Sequence, residues 1–334
     1  MNIRLRKIAP AILASIALAS SAPAVGVESV KLSLEWLVSG RHVGFFVAQE
    51  KGYYREQGLD VTIERGYGSG DTVKRVATGS SDFGIADTTT LLSARANNDT
   101  PVMMVATFFN GGPEAILALK SSGIKSAADL EGKRIGGGST SASLKLLAVL
   151  AQKAGLKDYK TVPMASDQIY PALLSKQVDA ITGFTDNAAV MAPQATQRGD
   201  AITTIPYSQY GIDNYGSAII VHADRVGKKD PAIAKFLEAS LKGIAWSLQH
   251  PDDAVRILRK YAPLIDEEVA ANTWKIDSQL FITPETKQYG LGSLHKERLQ
   301  VTYDMARKYL GLEKEIKLED AYSTEFLPKT PILP

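Results

Sequence analysis

Cysteine is absent from the 334 residues. That excludes disulfides, thiolate nucleophiles, Fe–S clusters and Cys-ligated zinc, and it leaves no thiol for a lipid anchor. Any fold must rest on its hydrophobic core, which a chain of this length can build. Histidine is scarce, with residues only at 42, 222, 250 and 295, and none of the spacings is that of a metal site. Long apolar runs are also missing. Residues 8–19 form an apolar run, well short of the ~20 residues a spanning helix needs. An excess of one charge is lacking too: Lys and Arg number 38 against 36 Asp and Glu, which gives no electrostatic case for nucleic acid. No low-complexity segment or short tandem repeat is present.

The basic start Arg4, Arg6 and Lys7, the short apolar run and Ala22-Pro23-Ala24 read as a secretory signal over residues 1–24. Cutting after Ala24 removes those three cations and leaves 35 basic against 36 acidic residues. The expected product is a soluble, monomeric periplasmic protein without a lipid anchor.

Two stretches about a hundred residues apart echo one another. SSDFGIADTTTLLSA begins at Ser80 and QVDAITGFTDNAAVM at Gln177. Each has a polar turn with an acid, a short apolar strand, then small polar residues opening a helix. Upstream, residues 61–79 and 161–177 both read strand, turn, helix. Paired βαβ units predict an α/β protein of two Rossmann-like lobes. The breaker cluster Asn110-Gly111-Gly112-Pro113 reads as the first crossing between lobes, and residues 206–216 as the second. Residues 25–110 with 217–334 then form lobe 1, and residues 111–216 form lobe 2. Strand–helix alternation predicts mostly parallel sheets. Asp71 is expected to cap a helix ending at Gly79, Asp230-Pro231 to open one reaching Gln249, and residues 294–310 to form a last helix outside lobe 1. Asp82 and Asp179 are expected to turn the chain into their strands. Facing sheet edges make a cleft, and open α/β sheets bind ligands at the carboxyl ends of their strands.

Four segments carry a family resemblance: LEWLVSGRHVGFFVAQEKGYYREQGLDV at residues 34–61, VATGSSDFGIAD at 76–87, DLEGKRIGG at 129–137 and LLSKQVDAITGF at 173–184. Together they resemble the substrate-binding proteins of ABC importers, in the NMT1/THI5-like branch grouped with the sulfonate-binding proteins. The resemblance implies a type II periplasmic-binding-protein fold, with two crossovers and one small molecule held between the lobes. It also implies a membrane permease and ATPase as partners, with no catalysis and no cofactor. The expected ligand is a flat heteroaromatic such as a thiamine-pyrimidine precursor, and alkyl or aryl sulfonates and other small organic anions are the rivals. Yeast-type members are enzymes that build the thiamine pyrimidine from their own histidine and pyridoxal phosphate. They carry a cysteine-rich iron motif, which a cysteine-free chain with an export signal lacks.

Within this frame Trp36 ends the first strand, where the family's pyrimidine binders stack an aromatic on the ring, and the alternative is a core tryptophan. His42 is either a hydrogen-bond donor to the ligand or a helix cap, and its neighbour Arg41 reads as a solvated loop residue. Asp87 can accept from an amine or cap the following helix. The glycine-rich turn leading into Ser139, Thr140 and Ser141 is the candidate anion site, lacking the Gly-Lys-Ser/Thr of a nucleotide loop. Phe184, Thr185 and Asn187 hold the equivalent place in lobe 2. Tyr170 and Tyr215 are further aromatics at the predicted mouth. Tyr303 and Tyr309 read as core.

Overall fold

A computed structural model describes residues 26–138, 141–165 and 167–334. The expected export segment, Ser139, Thr140 and Ser166 lie outside the described residues. The described chain folds into two lobes, each built on a five-stranded sheet. The first contains β1 (Glu28–Ser33), β2 (Leu59–Glu64), β3 (Phe83–Asp87), β4 (Val102–Thr107) and β10 (Ser217–His222), in the order β2-β1-β3-β10-β4. The second contains β5 (Glu114–Leu119), β6 (Arg134–Gly138), β7 (Lys160–Met164), β8 (Ala180–Phe184) and β9 (Ile202–Pro206), in the order β7-β6-β8-β5-β9. The chain crosses between the sheets from β4 to β5 and again from β9 to β10.

The expectation of mostly parallel strands needs one correction per lobe. β10 runs antiparallel to β3 and β4, and β5 antiparallel to β8 and β9. Both are the strands that have just arrived from the other lobe. They enter at the carboxyl edge that faces it, so they must run against their neighbours.

The sequence echo is structural. The Asp82 carboxylate accepts the Lys31 N–H at 2.8 Å, and the Asp82 N–H donates to the Lys31 carbonyl at 3.0 Å. Asp179 repeats this on Arg134 at 2.8 and 2.9 Å. Each aspartate pins the start of one strand to its neighbour, as the polar turns suggested.

Helices cover both faces of each sheet, and lobe 1 is the larger core. The helix Pro231–Gln249 starts as predicted. Asp230 accepts the Ala232 N–H at 2.9 Å, and Pro231 supplies a first-turn residue that needs no acceptor. It crosses Val43–Glu50 at two glycines: a Cβ at Gly243 would lie 2.2 Å from the Gly44 carbonyl oxygen. The predicted Asp71 cap is not formed, because the helix Ser69–Ala77 begins earlier, at Gly68, without a side-chain cap. The segment after the glycine-rich turn is helical over Ala142–Ala154, capped by Ser141 and stopped by left-handed Gly155 (φ 72°).

The last helix, Lys296–Tyr309, does not simply cover lobe 1. Leu299 and Tyr303 pack with Val73 and Leu91, whereas Ala306 packs with Leu146 and Leu150 of lobe 2. A short helix Pro284–Tyr289, not foreseen, precedes it. The tail is pinned to the β4 edge: Met104 N–H donates to the Ala321 carbonyl and its own carbonyl accepts from Ser323, both at 2.9 Å. No described helix is long and apolar enough to cross a membrane.

Candidate functional site at the facing lobe edges

The carboxyl ends of β1, β2 and β3 in lobe 1 face those of β6, β7 and β8 in lobe 2. Among the described residues, the buried charged side chains are Arg41 and five carboxyls, Glu35, Asp87, Glu114, Asp186 and Asp277. All six gather on this gap. Burying a charge costs several kcal/mol unless partners compensate, so concentrated buried charge marks a place with a task.

Trp36 follows β1 and is 43 % exposed, so it is a rim residue and not a core tryptophan. The loop after β2 sits beneath it: Gly66 N–H donates to the Trp36 carbonyl and Gly68 N–H to the Glu35 carbonyl, each at 2.9 Å. A side chain at Gly66 would collide, its Cβ 1.9 Å from the Leu34 carbonyl oxygen. This loop brings Tyr67, also exposed, to the same rim.

Asp87 ends β3 and caps the helix Thr88–Asn98. Its Oδ1 accepts the Thr90 N–H at 2.8 Å and the Thr89 and Thr90 hydroxyls at 2.6 and 3.0 Å. Burial pushes its carboxyl upward in spite of those donors. Glu114, at the start of β5, was not foreseen. It is buried, and its donor is the Asn214 side-chain amide at 3.3 and 3.4 Å. Burial, and then the charge of Asp87, push Glu114 up to about 8. Asn214 lies in the second crossing and Glu114 just after the first, so this contact ties the two connections together. The Asn214 carbonyl and the hydroxyls of Thr88, Thr182 and Thr185 are buried with no hydrogen-bond partner, which leaves acceptors and donors to spare around the gap.

Arg41, expected to be solvated, is instead enclosed. Its Nη1 donates to Glu35 Oε1 at 3.3 Å, its Nη2 to Asp186, and its Nε lies 3.6 Å from Asp277 Oδ2. The guanidinium sits over the rings of Phe184 at 5.6 Å and Phe109 at 6.0 Å. Burial opposes its charge, but Asp186, Asp277 and Glu35 outweigh that and hold it cationic. Tyr170 stands beside this group. Burial, followed by the Asp186 charge, pushes its phenol well up. Burial, the Asp186 charge and Glu35 together outweigh Arg41 at Asp277, whose carboxyl lies well above the usual range.

His42 is wholly buried. Its Nδ1 accepts the Ser39 N–H at 3.2 Å, and its Nε2 meets the Glu35 carboxylate at 3.1 and 3.2 Å. Both ring nitrogens are therefore engaged within lobe 1: His42 precedes the helix Val43–Glu50 without capping it through its side chain, and its Nδ1 closes the turn Gly40–His42 instead. Burial would raise Glu35, but His42 and Arg41 together hold it at about 2.

In lobe 2, Phe184 presents its face to Arg41. Thr185 donates its N–H to the Pro113 carbonyl at 2.8 Å. Asn187 closes its own turn, accepting the Phe184 N–H at 2.8 Å and donating to Asp186 at 3.2 Å. Ser141 accepts the Leu144 N–H at 3.3 Å as a helix cap. Tyr215 is not at the mouth. It is buried behind the crossings, its hydroxyl donating to Glu285 at 2.7 Å and accepting from His295 N–H at 2.9 Å. Arg298 stacks over its ring at 4.6 Å and reaches Asn110 and Asp213, both at 2.6 Å, so this network braces the hinge. Sequence reasoning missed Glu114, Asp186, Asp277 and Asn214. Glu114 follows the breaker cluster Asn110-Gly111-Gly112-Pro113 and Asn214 lies within the 206–216 crossing, and nothing local marks either as buried.

A family model described as NMT1/THI5 like matches residues 39–254. The formylaminopyrimidine-binding protein of Halalkalibacterium halodurans is 26 % identical over 305 residues, covering 89 % of this chain and 90 % of that protein. The 4-amino-5-hydroxymethyl-2-methylpyrimidine phosphate synthase of Legionella pneumophila is 24 % identical, covering 90 % and 93 %. Among solved structures, the periplasmic aliphatic sulphonate binding protein of Escherichia coli superposes with a TM-score of 0.68 at 17 % identity, covering 92 % and 96 %. That likeness carries the fold, a periplasmic-binding-protein architecture of two lobes. With the family model spanning well over half of its length, the chain belongs to the NMT1/THI5-like family.

Proposed function

We propose that this protein is the exported solute-binding component of an ABC importer. It captures a small, flat, amino-substituted heteroaromatic solute between its lobes and hands it unaltered to a membrane permease and its ATPase. The observation that carries the reading is the chemistry of the gap: five buried carboxyls and one guanidinium already engaged by two of them, beside an exposed indole. Carboxyl groups accept from ring amino groups, and a protonated carboxyl such as that of Glu114 donates to a ring nitrogen. Trp36 supplies a face for stacking. The formylaminopyrimidine-binding relative is in keeping with a ligand of this class.

An anionic ligand fits poorly, because the single buried cation is already engaged by Glu35 and Asp186. The synthase reading finds little support either. No lysine among the described residues is buried, and His42 is enclosed rather than presented.

A thermal-shift screen of aminopyrimidines, flavins, carboxylates and alkanesulfonates tests this. A ligand at a hundred times its Kd stabilises the folded state by about 2.7 kcal/mol. Aminopyrimidines should raise the melting temperature and ethanesulfonate should not. A shift with sulfonates alone would overturn the reading.

A further inference from the structure

We propose that Arg41, Asp186 and Phe184 form a latch that draws lobe 2 onto lobe 1, so that these residues set ligand affinity by setting closure rather than by touching the ligand. The proposal rests on reading the gap as the ligand site.

Three features carry it. First, Arg41 is mounted rigidly in lobe 1. It lies in the single helical turn Gly40–His42, which packs directly on the helix Glu267–Phe281. A Cβ at Gly40 would lie 2.1 Å from the Ala270 carbonyl oxygen. Second, its partners divide between the lobes. Glu35 and Asp277 belong to lobe 1, while Asp186 and Phe184 follow and end β8 in lobe 2. Third, the lobe-2 partner is held in place: Asn187 donates to Asp186 at 3.2 Å while its own carbonyl accepts the Phe184 N–H at 2.8 Å.

Opening the lobes keeps Arg41 with Glu35 and Asp277, and strips it of Asp186 and the Phe184 face. The contact is made wholly of protein groups, so it acts whether or not a solute is bound. A buried pair of this kind adds little net stability, because desolvation offsets the attraction, but it favours one geometry strongly. A ligand then meets a population already biased toward the closed form. Apparent affinity scales with the closed fraction.

Small-angle X-ray scattering on the ligand-free protein tests this directly. Asp186→Asn should increase the radius of gyration and the maximum dimension, with the far-ultraviolet circular dichroism unchanged. Glu238→Gln removes one carboxylate from an exposed pair within lobe 1, with Lys242 at 2.7 Å, and controls for net charge. It should scatter like the wild type. Phe184→Leu keeps an apolar side chain but removes the stacking face, and carries the test if Asp186→Asn does not fold. With formylaminopyrimidine as the probe, a closed fraction reduced to about a tenth would weaken apparent binding about tenfold. Scattering from the folded variants that superposes on the wild type, or equal expansion in Glu238→Gln, overturns the latch. If the pyrimidine fails to bind at all, the ligand reading falls while the scattering result still decides the latch.

Discussion

Replacing Glu114 with glutamine keeps the shape of the side chain and removes its titration. The structure sets both the sign and the size of the effect. Burial and the Asp87 charge raise the Glu114 pKa from the ordinary 4.5 to about 8. Between those values the folded protein holds a proton that the unfolded chain has released. Stability therefore falls as pH rises through this window, because the native state binds the extra proton. The favourable protonated arrangement is fully present below about 4.5 and lost as pH passes 8. One pKa unit corresponds to about 1.4 kcal/mol, so moving from pH 6 to pH 8 removes roughly 2–3 kcal/mol from the wild type. The glutamine variant is spared that loss. Its carbonyl still accepts from Asn214, and Asp87 gains a neutral neighbour. Each kcal/mol shifts the melting temperature of a chain of this size by roughly 2 °C. Scanning calorimetry at pH 6, 7 and 8 should show the wild type falling about 5 °C more than Glu114→Gln. Parallel curves for the two proteins would refute the reasoning, and so would a variant that is the more alkali-sensitive.

Three other substitutions probe different layers. Glu35 is held at about 2, so its contribution is present above the unfolded value near 4.5 and is lost as pH falls toward 2. Glu35→Gln should cost about 3 kcal/mol at pH 7 and flatten the acid limb followed by circular dichroism, and an acid limb as steep as the wild type's would count against it. Trp36 is exposed, so Trp36→Ala should leave the unfolding free energy within about 0.5 kcal/mol of the wild type while weakening an aminopyrimidine roughly three- to tenfold by calorimetric titration. Unchanged affinity would remove the stacking role. Gly243→Ala forces a Cβ within 2.2 Å of the Gly44 carbonyl and should cost roughly 1–3 kcal/mol in chemical denaturation, where a cost near zero would show that the helix crossing adjusts freely.

The lobes were legible because their signals are local. The Asp82 and Asp179 turns and the Asp230-Pro231 start are each decided within a few residues of the chain. The antiparallel entry of β5 and β10 was not legible, since it follows from which edge of a sheet the returning chain meets. The site divides in the same way. Trp36 and Asp87 sit at strand ends, where the alternation of strand and helix places them. Asp186 and Asp277 are separated by about ninety residues, and Arg41 lies further still from both. Nothing in the sequence near any of them announces that they share one buried cluster, so Arg41 read as solvent-facing. Tyr215 went the other way, and His42 was open between two readings: polar aromatics in loops look available until packing assigns their polar atoms to Glu35 and Glu285.

The same fold serves anions elsewhere, and the glycine-rich turn before Ser141 invited an anion here. Under the proposed reading, two electrostatic contributions oppose one another. A helix N-terminus favours an anion by typically 0.3–1 kcal/mol. Any buried carboxyl left ionised about 5 Å from a bound anion would oppose it by roughly 3 kcal/mol at an effective dielectric near 20, and one held protonated returns no more than a hydrogen bond. Arg41 cannot redress this, since its charge is matched within the cluster by Glu35 and Asp186. On the proposed reading, the facing edges suit a solute that brings hydrogen-bond donors better than a sulfonate, even though the sheets that hold those edges superpose on a sulphonate binder. Adding ethanesulfonate in excess should then fail to displace a bound aminopyrimidine in a competition titration. Displacement at comparable concentrations would mean that no ionised carboxylate faces the bound anion, and the proposed preference for hydrogen-bond donors would fall.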